Sequence, residues 1–331
     1  MKKYRIFLPF ISIFIFICLV SCDKTKSSFL QKSTGSVGEV IVIIDDNKWL
    51  GNTGDTIFNI LSQNHLGFPQ AEPIFKVSQI PQNALNDFFK SHRNIIVSKI
   101  SNQYTEPLLI IENDKWAKPQ IIISFCAKDE LSFKELFVKN SQLIIDTLLN
   151  SEILRFQNIF KLSENKEIEK ILKNKYKISI SIPDDYNLDV AKDNFIWISK
   201  ETSATSQGIL IYWYDYENEN SFTDDYLISK RDSVLKINVP GPNSNSYMTT
   251  EKMLPVYLKE YYSNNQYIYE LRGLWKTEGA FLGGPFISLS QIDKKIKKVI
   301  TVEGYVYAGK LEKKIYFWQV EAIAKTLHLN D

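Results

Sequence analysis

The chain has 331 residues, 44% of them apolar and 13% aromatic, which is ample material for a folded core and excludes a disordered protein. Its 40 basic and 38 acidic residues nearly balance, so the chain lacks the excess positive charge that attracts nucleic acid, and no nucleic-acid partner is predicted. A chain of this length forms one large domain or two domains of ordinary size.

The amino-terminal end shows the pattern of an exported protein with a lipid anchor. Basic residues at positions 2, 3 and 5 precede a mostly apolar stretch over 6–20, which runs into Leu19-Val20-Ser21-Cys22. This combination is typical of a signal peptide rather than of a membrane span. We predict that residues 1–21 are removed as a lipoprotein signal peptide. Cys22 then becomes the first residue of the mature chain and carries the acyl groups, palmitate among them.

The mature chain is close to neutral, because removal of the signal leaves 37 basic against 38 acidic residues. Its attachment to the membrane then depends on the acyl chains, in which each buried methylene contributes roughly 0.8 kcal/mol. The polar residues 22–36 are predicted to form a flexible tether. Cys126 is the one thiol left for the folded part, so no internal disulfide is predicted, and its strand-like surroundings predict a buried, inert side chain.

Residues 37–174 are predicted to form an amino-terminal α+β half. Apolar runs predict strands over 39–44, 94–100, 107–112 and 120–126. Helices are predicted to begin with Asp55 as N-cap, with Pro81 in a first turn, and at Ser132 in a capping-box sequence. The last of these opens a helical stretch that continues to about Lys173.

Residues 175–331 are predicted to form a carboxy-terminal α+β half. Its predicted strands cover 177–182, 195–199, 209–216, 256–261, 266–275, 286–291 and 298–307. Helices are predicted over 222–236 and 314–328. Because the strands cluster in runs with few crossover helices, the predicted fold class is α+β, with mixed or antiparallel sheets and packed helices. Each half ends in a strand and a long helix, which suggests two related halves.

Short motifs for nucleotide binding, zinc binding and nucleophilic hydrolysis are absent from the sequence. The three histidines lie far apart, so neither a metal site nor a cofactor is predicted. His92 and Arg93 stand where a predicted helix gives way to a strand. His92 continues the stripe of Leu85, Phe88 and Phe89, which favours a structural role as a cap for free helix carbonyls. A functional site is the alternative.

Four charged residues of the carboxy-terminal half are the candidates for a pocket or a structural polar cluster. Arg231 lies in the apolar stripe of the helix over 222–236 and needs a paired carboxylate or a bound anion, because an unpaired buried charge is costly. Glu270 and Arg272 share one face of a predicted strand. Glu303 lies in a later strand and pairs with Arg272 if the two strands are neighbours. The alternatives are a structural ion pair and a pocket floor with one carboxylate as acid or base.

Several segments resemble a family of Bacteroidota lipoproteins grouped as domain of unknown function 4837. The segments that carry the resemblance are 33–35, 38–40, 54–56, 92–94, 231–233, 240–242, 272–275, 283–286 and 302–307. The resemblance implies that residues 33–331 form one family unit in a diderm cell envelope, and it carries no catalytic residues over. In such an envelope a lipoprotein can stay in the inner membrane, reach the outer membrane or move to the cell surface, and we predict the outer membrane. The absence of an acidic run after Cys22 favours the periplasmic side over the cell surface.

The sequence leaves the function open between classes. The leading hypothesis is a lipid-anchored, non-catalytic module that binds an unknown envelope protein or a small ligand, because a large aromatic-rich body follows the anchor without a catalytic motif. The alternative is an envelope hydrolase that uses Glu303 or Glu270 on glycan, peptide or lipid. A further option is an accessory protein that binds exposed segments by strand addition at an edge such as 209–216.

Overall fold

The computed structural model describes residues 30–263 and 266–329, which form an α+β fold with two large sheets and one core shared between them. The predicted signal peptide and Cys22 lie outside the described residues. Of the helices within these ranges, none has both the length and the apolar character needed to cross a bilayer.

A mostly parallel sheet forms the amino-terminal half. The strands of this half are β1 (Gln31–Lys32), β2 (Glu39–Ile43), β3 (Lys76–Ile80), β4 (Asn94–Ile100), β5 (Leu108–Asn113), β6 (Ala117–Lys118) and β7 (Ile121–Ala127). Five of them pair in the order β3-β2-β4-β7-β5, and β5 is the antiparallel member. The short strands β1 and β6 form a separate parallel pair. Because connections between parallel strands place helices over the sheet, β7 is buried along its whole length.

The helices of this half pack against the sheet and against each other. They are α1 (Asp46–Trp49), α2 (Asn52–Leu61), α3 (Asp87–Lys90), α4 (Glu130–Lys139), α5 (Ser141–Leu162) and α6 (Lys166–Ile171), followed by a π-helical turn over Leu172–Tyr176. Two predicted caps are wrong. Gly51 is the N-cap of α2, so Asp55 lies in its first turn, and Asp129 caps α4 by accepting a hydrogen bond from Ser132 N at 2.8 Å.

An antiparallel sheet forms the carboxy-terminal half. The strands are β8 (Ile178–Ser179), β9 (Asn187–Ala191), β10 (Phe195–Glu201), β11 (Ser206–Asp215), β12 (Tyr247–Thr250), β13 (Tyr257–Ser263), β14 (Gln266–Glu278), β15 (Gly283–Asp293), β16 (Lys298–Tyr307) and β17 (His328–Leu329). The main order is β12-β14-β15-β16-β11-β10-β9, with β13 on β14, while β8 pairs with β17. The two large sheets differ in strand direction and order, so the suggested relation between the halves finds no support in the topology.

Two helices, α7 (Asp224–Asn238) and α8 (Lys314–Ala324), cover the opposite faces of the antiparallel sheet. Side chains along β16 point alternately to the two faces of the sheet. Val302 and Val306 belong to the core under α8, whereas Val299 and Tyr305 belong to the core on the side of α7. α8 packs on β11, β15 and β16, and α5 packs on α8. The shared core therefore contains both of these helices and one face of each sheet.

The strand pairing corrects two predictions, one about the end of the tether and one about an exposed edge strand. The predicted tether ends too late, because Gln31–Lys32 pair with Ala117–Lys118 and Thr34 forms a bridge with His92. The predicted edge over 209–216 lies inside the sheet as β11, between β10 and β16. Both sides of this strand are already hydrogen-bonded, so it cannot accept an added strand.

The start of α8 is held by residues of the amino-terminal half. Glu72 accepts hydrogen bonds from Lys313 N at 2.9 and 3.0 Å, where a carboxylate also meets the positive end of the helix dipole. One turn later, Trp318 Nε1 donates to His65 Nε2 at 3.3 Å, and His65 Nδ1 donates to Leu66 O at 3.0 Å. These two bonds require a neutral imidazole, and burial lowers the pKa of His65 to about 4.

Because of His65, we expect the free energy of unfolding to fall by about 2 kcal/mol as the pH falls from about 6.5 to about 4.5. The folded state keeps His65 neutral to about pH 4, whereas the unfolded chain takes up this proton near its ordinary pKa of about 6.5. The unfolded state thus binds more protons in this window, which removes stability. Urea unfolding across the window should show a flatter slope for His65→Gln. The exposed His328→Gln should keep the wild-type slope, and equal slopes in all three proteins would contradict the assignment.

Candidate functional site

Arg231 and Glu303 form a fully buried ion pair between α7 and the antiparallel sheet. Arg231 Nε and Nη2 donate to the two carboxylate oxygens of Glu303, each at 2.7 Å, and both residues are 0% exposed. The guanidinium also lies 3.8 Å from the ring centroid of Phe286. Two parallel N–H···O bonds are the strongest geometry for this pair of groups. They hold α7 in one position on the sheet.

The buried pair continues through Thr250 to a carboxylate nearer the surface. Arg231 Nη1 donates to Thr250 Oγ1 at 2.8 Å, and Thr250 Oγ1 and N donate to Asp232 Oδ1 at 2.7 and 2.8 Å. Lys252 Nζ lies 3.3 Å from the other Asp232 oxygen. Burial raises the pKa of the Glu303 carboxyl, although the attraction of Arg231 opposes that shift. Burial acts in the same direction on Asp232, but the hydrogen bonds from Thr250 lower its pKa.

A second buried cluster lies on the opposite face of the sheet, under α8. Arg272 Nη1 and Nη2 donate to Glu321 at 3.0 and 2.6 Å, and Arg272 Nε donates to Glu270 at 2.6 Å. Lys325 Nζ lies 2.6 Å from Glu321, and Tyr261 Oη donates to Glu270 at 3.1 Å. Burial alone would raise the pKa of Glu321, but Arg272 and Lys325 lower it. The two cations and the two carboxylates of this cluster balance.

The predicted pairing of Arg272 with Glu303 is wrong. β15 lies between β14 and β16, so the two residues are not neighbours across a pair of strands. They also face opposite sides of the sheet, Arg272 toward α8 and Glu303 toward α7. The alternating pattern of a strand predicts which of its side chains lie on the same face, and Glu270 and Arg272 do lie on one face of β14. The pattern does not predict which strands are neighbours in the sheet.

An open groove lies beside the second cluster, where α8 ends and leaves part of the sheet uncovered. Its volume is about 610 Å³, which is within the range of small-ligand sites. The aliphatic side chains of Ile268, Leu289 and Val302 line its sheet side, and α5 contributes Ile153 and Gln157. These residues make the groove the candidate binding site of the protein.

Two residues connect the groove with the charged cluster behind it. Tyr261 and Lys325 line the groove, and they bind Glu270 and Glu321 respectively. Glu270 is 3% exposed and Glu321 is 0% exposed, so the carboxylates themselves are covered. Burial raises the pKa of the Tyr261 hydroxyl, which therefore stays a hydrogen-bond donor. The cluster thus fixes the positions of Tyr261 and Lys325 in the groove wall.

His92 belongs to a third cluster, at the amino-terminal ends of β2 and β4. Its Nε2 lies 3.2 Å from Glu39 Oε2. Its ring packs on Gly35, where a φ of +91° and the lack of a Cβ permit the contact. The predicted cap of helix carbonyls by the His92 ring is not formed, because the predicted helix is only a 3₁₀ turn over Gln82–Ala84 and the short α3. Phe88 is 72% exposed, so the stripe that His92 was predicted to continue does not exist.

Arg93 takes part in a network with two residues that the sequence pattern did not single out. Glu152 accepts from Arg93 Nη1 at 3.2 Å and from Asn94 Nδ2 at 2.7 Å, and Arg155 Nη1 lies 3.1 Å from the same carboxylate. Glu152 is 1% exposed and Arg155 is 4% exposed. They follow Leu148 at helical spacing on the buried stripe of α5, and that position is the signal that identifies them.

The three clusters share a property that limits their chemistry. Four carboxylates in them, those of Glu303, Glu321, Glu270 and Glu152, are almost completely buried, and each accepts a hydrogen bond from an arginine, so they support the fold rather than meeting a substrate. Within the part of the chain that the structure describes, no group of three His, Cys, Asp or Glu residues is arranged to hold a metal ion. Cys126 is a buried free thiol, as predicted.

Comparison with known proteins relates both halves to families without an assigned activity. No curated protein matches the sequence. The crystal structure of LpqN from Mycobacterium tuberculosis, described as involved in cell envelope biogenesis, aligns with 46% of this chain and 83% of its own, at 9% identity and a TM-score of 0.29. That similarity is too low to support an inference.

The resemblance to domain 4837 extends over less of the chain than the sequence segments implied. It is confirmed for the carboxy-terminal half, whereas the amino-terminal segments belong to a region that matches a different family, so residues 33–331 are not covered by one family. Residues 165–326 match the family model of the domain of unknown function DUF4837, and residues 33–161 match that of the domain of unknown function DUF8532.

Proposed function

We propose that this protein is a non-catalytic binding module held at the cell envelope by a lipid on Cys22. The observation that carries the proposal is the contrast between the buried charges and the groove. The carboxylates behind the groove are bonded to Arg272, while the groove itself is open and lined mostly by apolar and neutral polar groups, and the Lys325 side chain in its wall is paired with Glu321. Such a site can hold a ligand or a segment of an envelope protein without a placed acid or base.

The alternative of an envelope hydrolase receives no support from the two carboxylates on which it depends. Glu303 is 0% exposed and accepts hydrogen bonds from Arg231 at both oxygens. Glu270 is 3% exposed and is bonded to Arg272 and Tyr261. A general acid or base must come within hydrogen-bond reach of its substrate, and neither carboxylate is open to one in this geometry.

The short distance along the chain between Cys22 and the fold supports a role close to the membrane. The first strand begins at Gln31, so residues 23–30 separate it from the proposed anchor. At a maximum of about 3.5 Å per residue, this segment spans at most roughly 30 Å. A lipid on Cys22 would therefore keep the folded body near the bilayer surface, on the periplasmic side of the outer membrane in the proposed location.

Cys22→Ser is expected to abolish the incorporation of labelled palmitate, because serine lacks the thiol that receives the lipid. Metabolic labelling of cells followed by immunoprecipitation measures this directly. Cys18→Ser is the matched control, since it removes a cysteine from the same segment, and it should keep the full label, as should Cys126→Ser. Label on the Cys22→Ser protein, or none on the wild type, would contradict the anchor.

A further inference from the structure

We infer that the surface where the chain enters the fold lies on the phospholipid headgroups, an inference that rests on the proposed lipid at Cys22 and names the face of the protein that meets the bilayer. This tether-entry surface consists of residues 30–34, 87–91 and 112–118. Lys32 lies opposite Lys118 in the pair of β1 and β6. Thr34 N donates to Ser91 O at 2.9 Å, which joins the end of α3 to the same stretch of chain. The three segments therefore meet where β4 and β7 begin.

Apolar side chains are exposed on the tether-entry surface. Phe88 is 72% exposed and Leu30 is 37% exposed. The ring of Phe88 makes a T-shaped contact with that of Phe89, and Phe89 and Trp116 pack on a small separate core of the parallel sheet. Phe88 is thus an outward apolar side chain on a fixed base. Aromatic and aliphatic side chains in such positions can enter the boundary between headgroups and acyl chains, where their apolar area leaves water.

The charges of the tether-entry surface also suit phospholipid. Its charged residues are the four lysines Lys32, Lys90, Lys115 and Lys118 and the three carboxylates Asp87, Glu112 and Asp114. Each carboxylate is paired with a lysine of the same surface, at 3.1, 2.9 and 3.5 Å in the order given. No net negative charge therefore repels the lipid phosphates. Lysine stems can lie along apolar surface while their ammonium groups reach those phosphates.

The length of chain between Cys22 and the fold selects the bilayer as the partner of this surface. Seven residues, 23–29, separate Cys22 from Leu30, so the two ends of this segment are at most roughly 30 Å apart. A lipid on Cys22 holds one end in the bilayer, and the other end is part of the tether-entry surface. The contact is then intramolecular in effect, so a few apolar side chains suffice to maintain it.

The test places the processed, lipid-carrying chain on vesicles of phosphatidylethanolamine and phosphatidylglycerol that contain a lipid with a nitroxide in its headgroup. A fluorescent label is attached to Phe88→Cys, and it reacts there selectively because Cys126 is buried and Cys22 carries the lipid. Quenching by a nitroxide requires close approach, so contact should lower the emission about twofold or more relative to vesicles without nitroxide. The matched control is Phe281→Cys, because Phe281 is 109% exposed and lies between β14 and β15. Its label should not be quenched. Equal quenching at both positions, or quenching at Phe281→Cys alone, would overturn the inference.

A second substitution separates contact through Phe88 from simple closeness to the anchor. With the label on Lys118→Cys, the further change Phe88→Ser should reduce the quenching about twofold, because the apolar contact is lost, whereas Phe281→Ser should leave it unchanged. Urea unfolding shows that both variants are folded. Unchanged quenching in Phe88→Ser would overturn the contact. Palmitate on Cys22 without quenching at Phe88→Cys would refute the surface and leave the anchor in place, whereas a chain without palmitate would refute both.

Discussion

Glu303→Gln is expected to lower the free energy of unfolding by about 3–5 kcal/mol. The substitution keeps the size of the side chain but removes the negative charge that faces Arg231. The guanidinium, which is 0% exposed and bonded to both Glu303 oxygens at 2.7 Å, then stays buried without its counterion. Urea unfolding followed by circular dichroism measures the loss.

Lys252→Met is the matched control for this substitution. Lys252 pairs with Asp232 on the outer side of the same cluster, and its side chain is 74% exposed. Exposed pairs contribute little, so the variant should change stability by less than about 1 kcal/mol. If Glu303→Gln left the free energy of unfolding unchanged or raised it, the structural role would be contradicted. Replacing a residue that is kept for function at the expense of stability leaves stability unchanged or increases it.

Glu321→Gln is expected to have an effect of the same size, about 3–5 kcal/mol, on the other face of the sheet. Glu321 is 0% exposed and receives Arg272 at 2.6 and 3.0 Å and Lys325 at 2.6 Å. The variant leaves Arg272 with Glu270 as its remaining carboxylate and Lys325 without one. Since α8 joins the two halves, the loss should appear as a lower urea midpoint for the whole protein.

Lys325→Met provides the comparison for the second cluster. The Lys325 side chain is 23% exposed, and it lies on the outer side of Glu321. Removing this partner leaves the doubly bonded Arg272 in place, so the loss should stay near or below about 1 kcal/mol. If Glu321→Gln destabilised the protein no more than Lys325→Met, the buried arrangement of Arg272 would not be the source of the stability.

Regular strands with strong apolar patterns were predictable from the sequence. The predicted bounds of β4 and β16 agree with the structure residue for residue, because most of their buried side chains are apolar. β3, with the sequence Lys-Val-Ser-Gln-Ile, was missed because only its last residue is buried. Such a strand is recruited by pairing with β2 rather than by its own pattern.

The partners of the buried charges were not predictable in the same way. Arg231 is 72 residues away from Glu303, and only the strand order brings α7 over β16. Glu152 and Glu321 lie on the apolar stripes of α5 and α8, so their burial follows from helical spacing, but the identity of their partners does not. The groove exists because α8 ends before it covers the whole sheet. No local sequence pattern predicts how far a helix extends over a sheet.

The double variant Arg231→Met/Glu303→Leu tests most directly the central claim that these buried charges support the fold. If they form a self-contained structural pair, apolar side chains of similar volume should return the free energy of unfolding to within about 1 kcal/mol of wild type or above it. Each single substitution should still cost about 3–5 kcal/mol, which gives a large coupling energy. A double variant as unstable as Glu303→Gln alone would contradict the claim, because a third group would then require these charges.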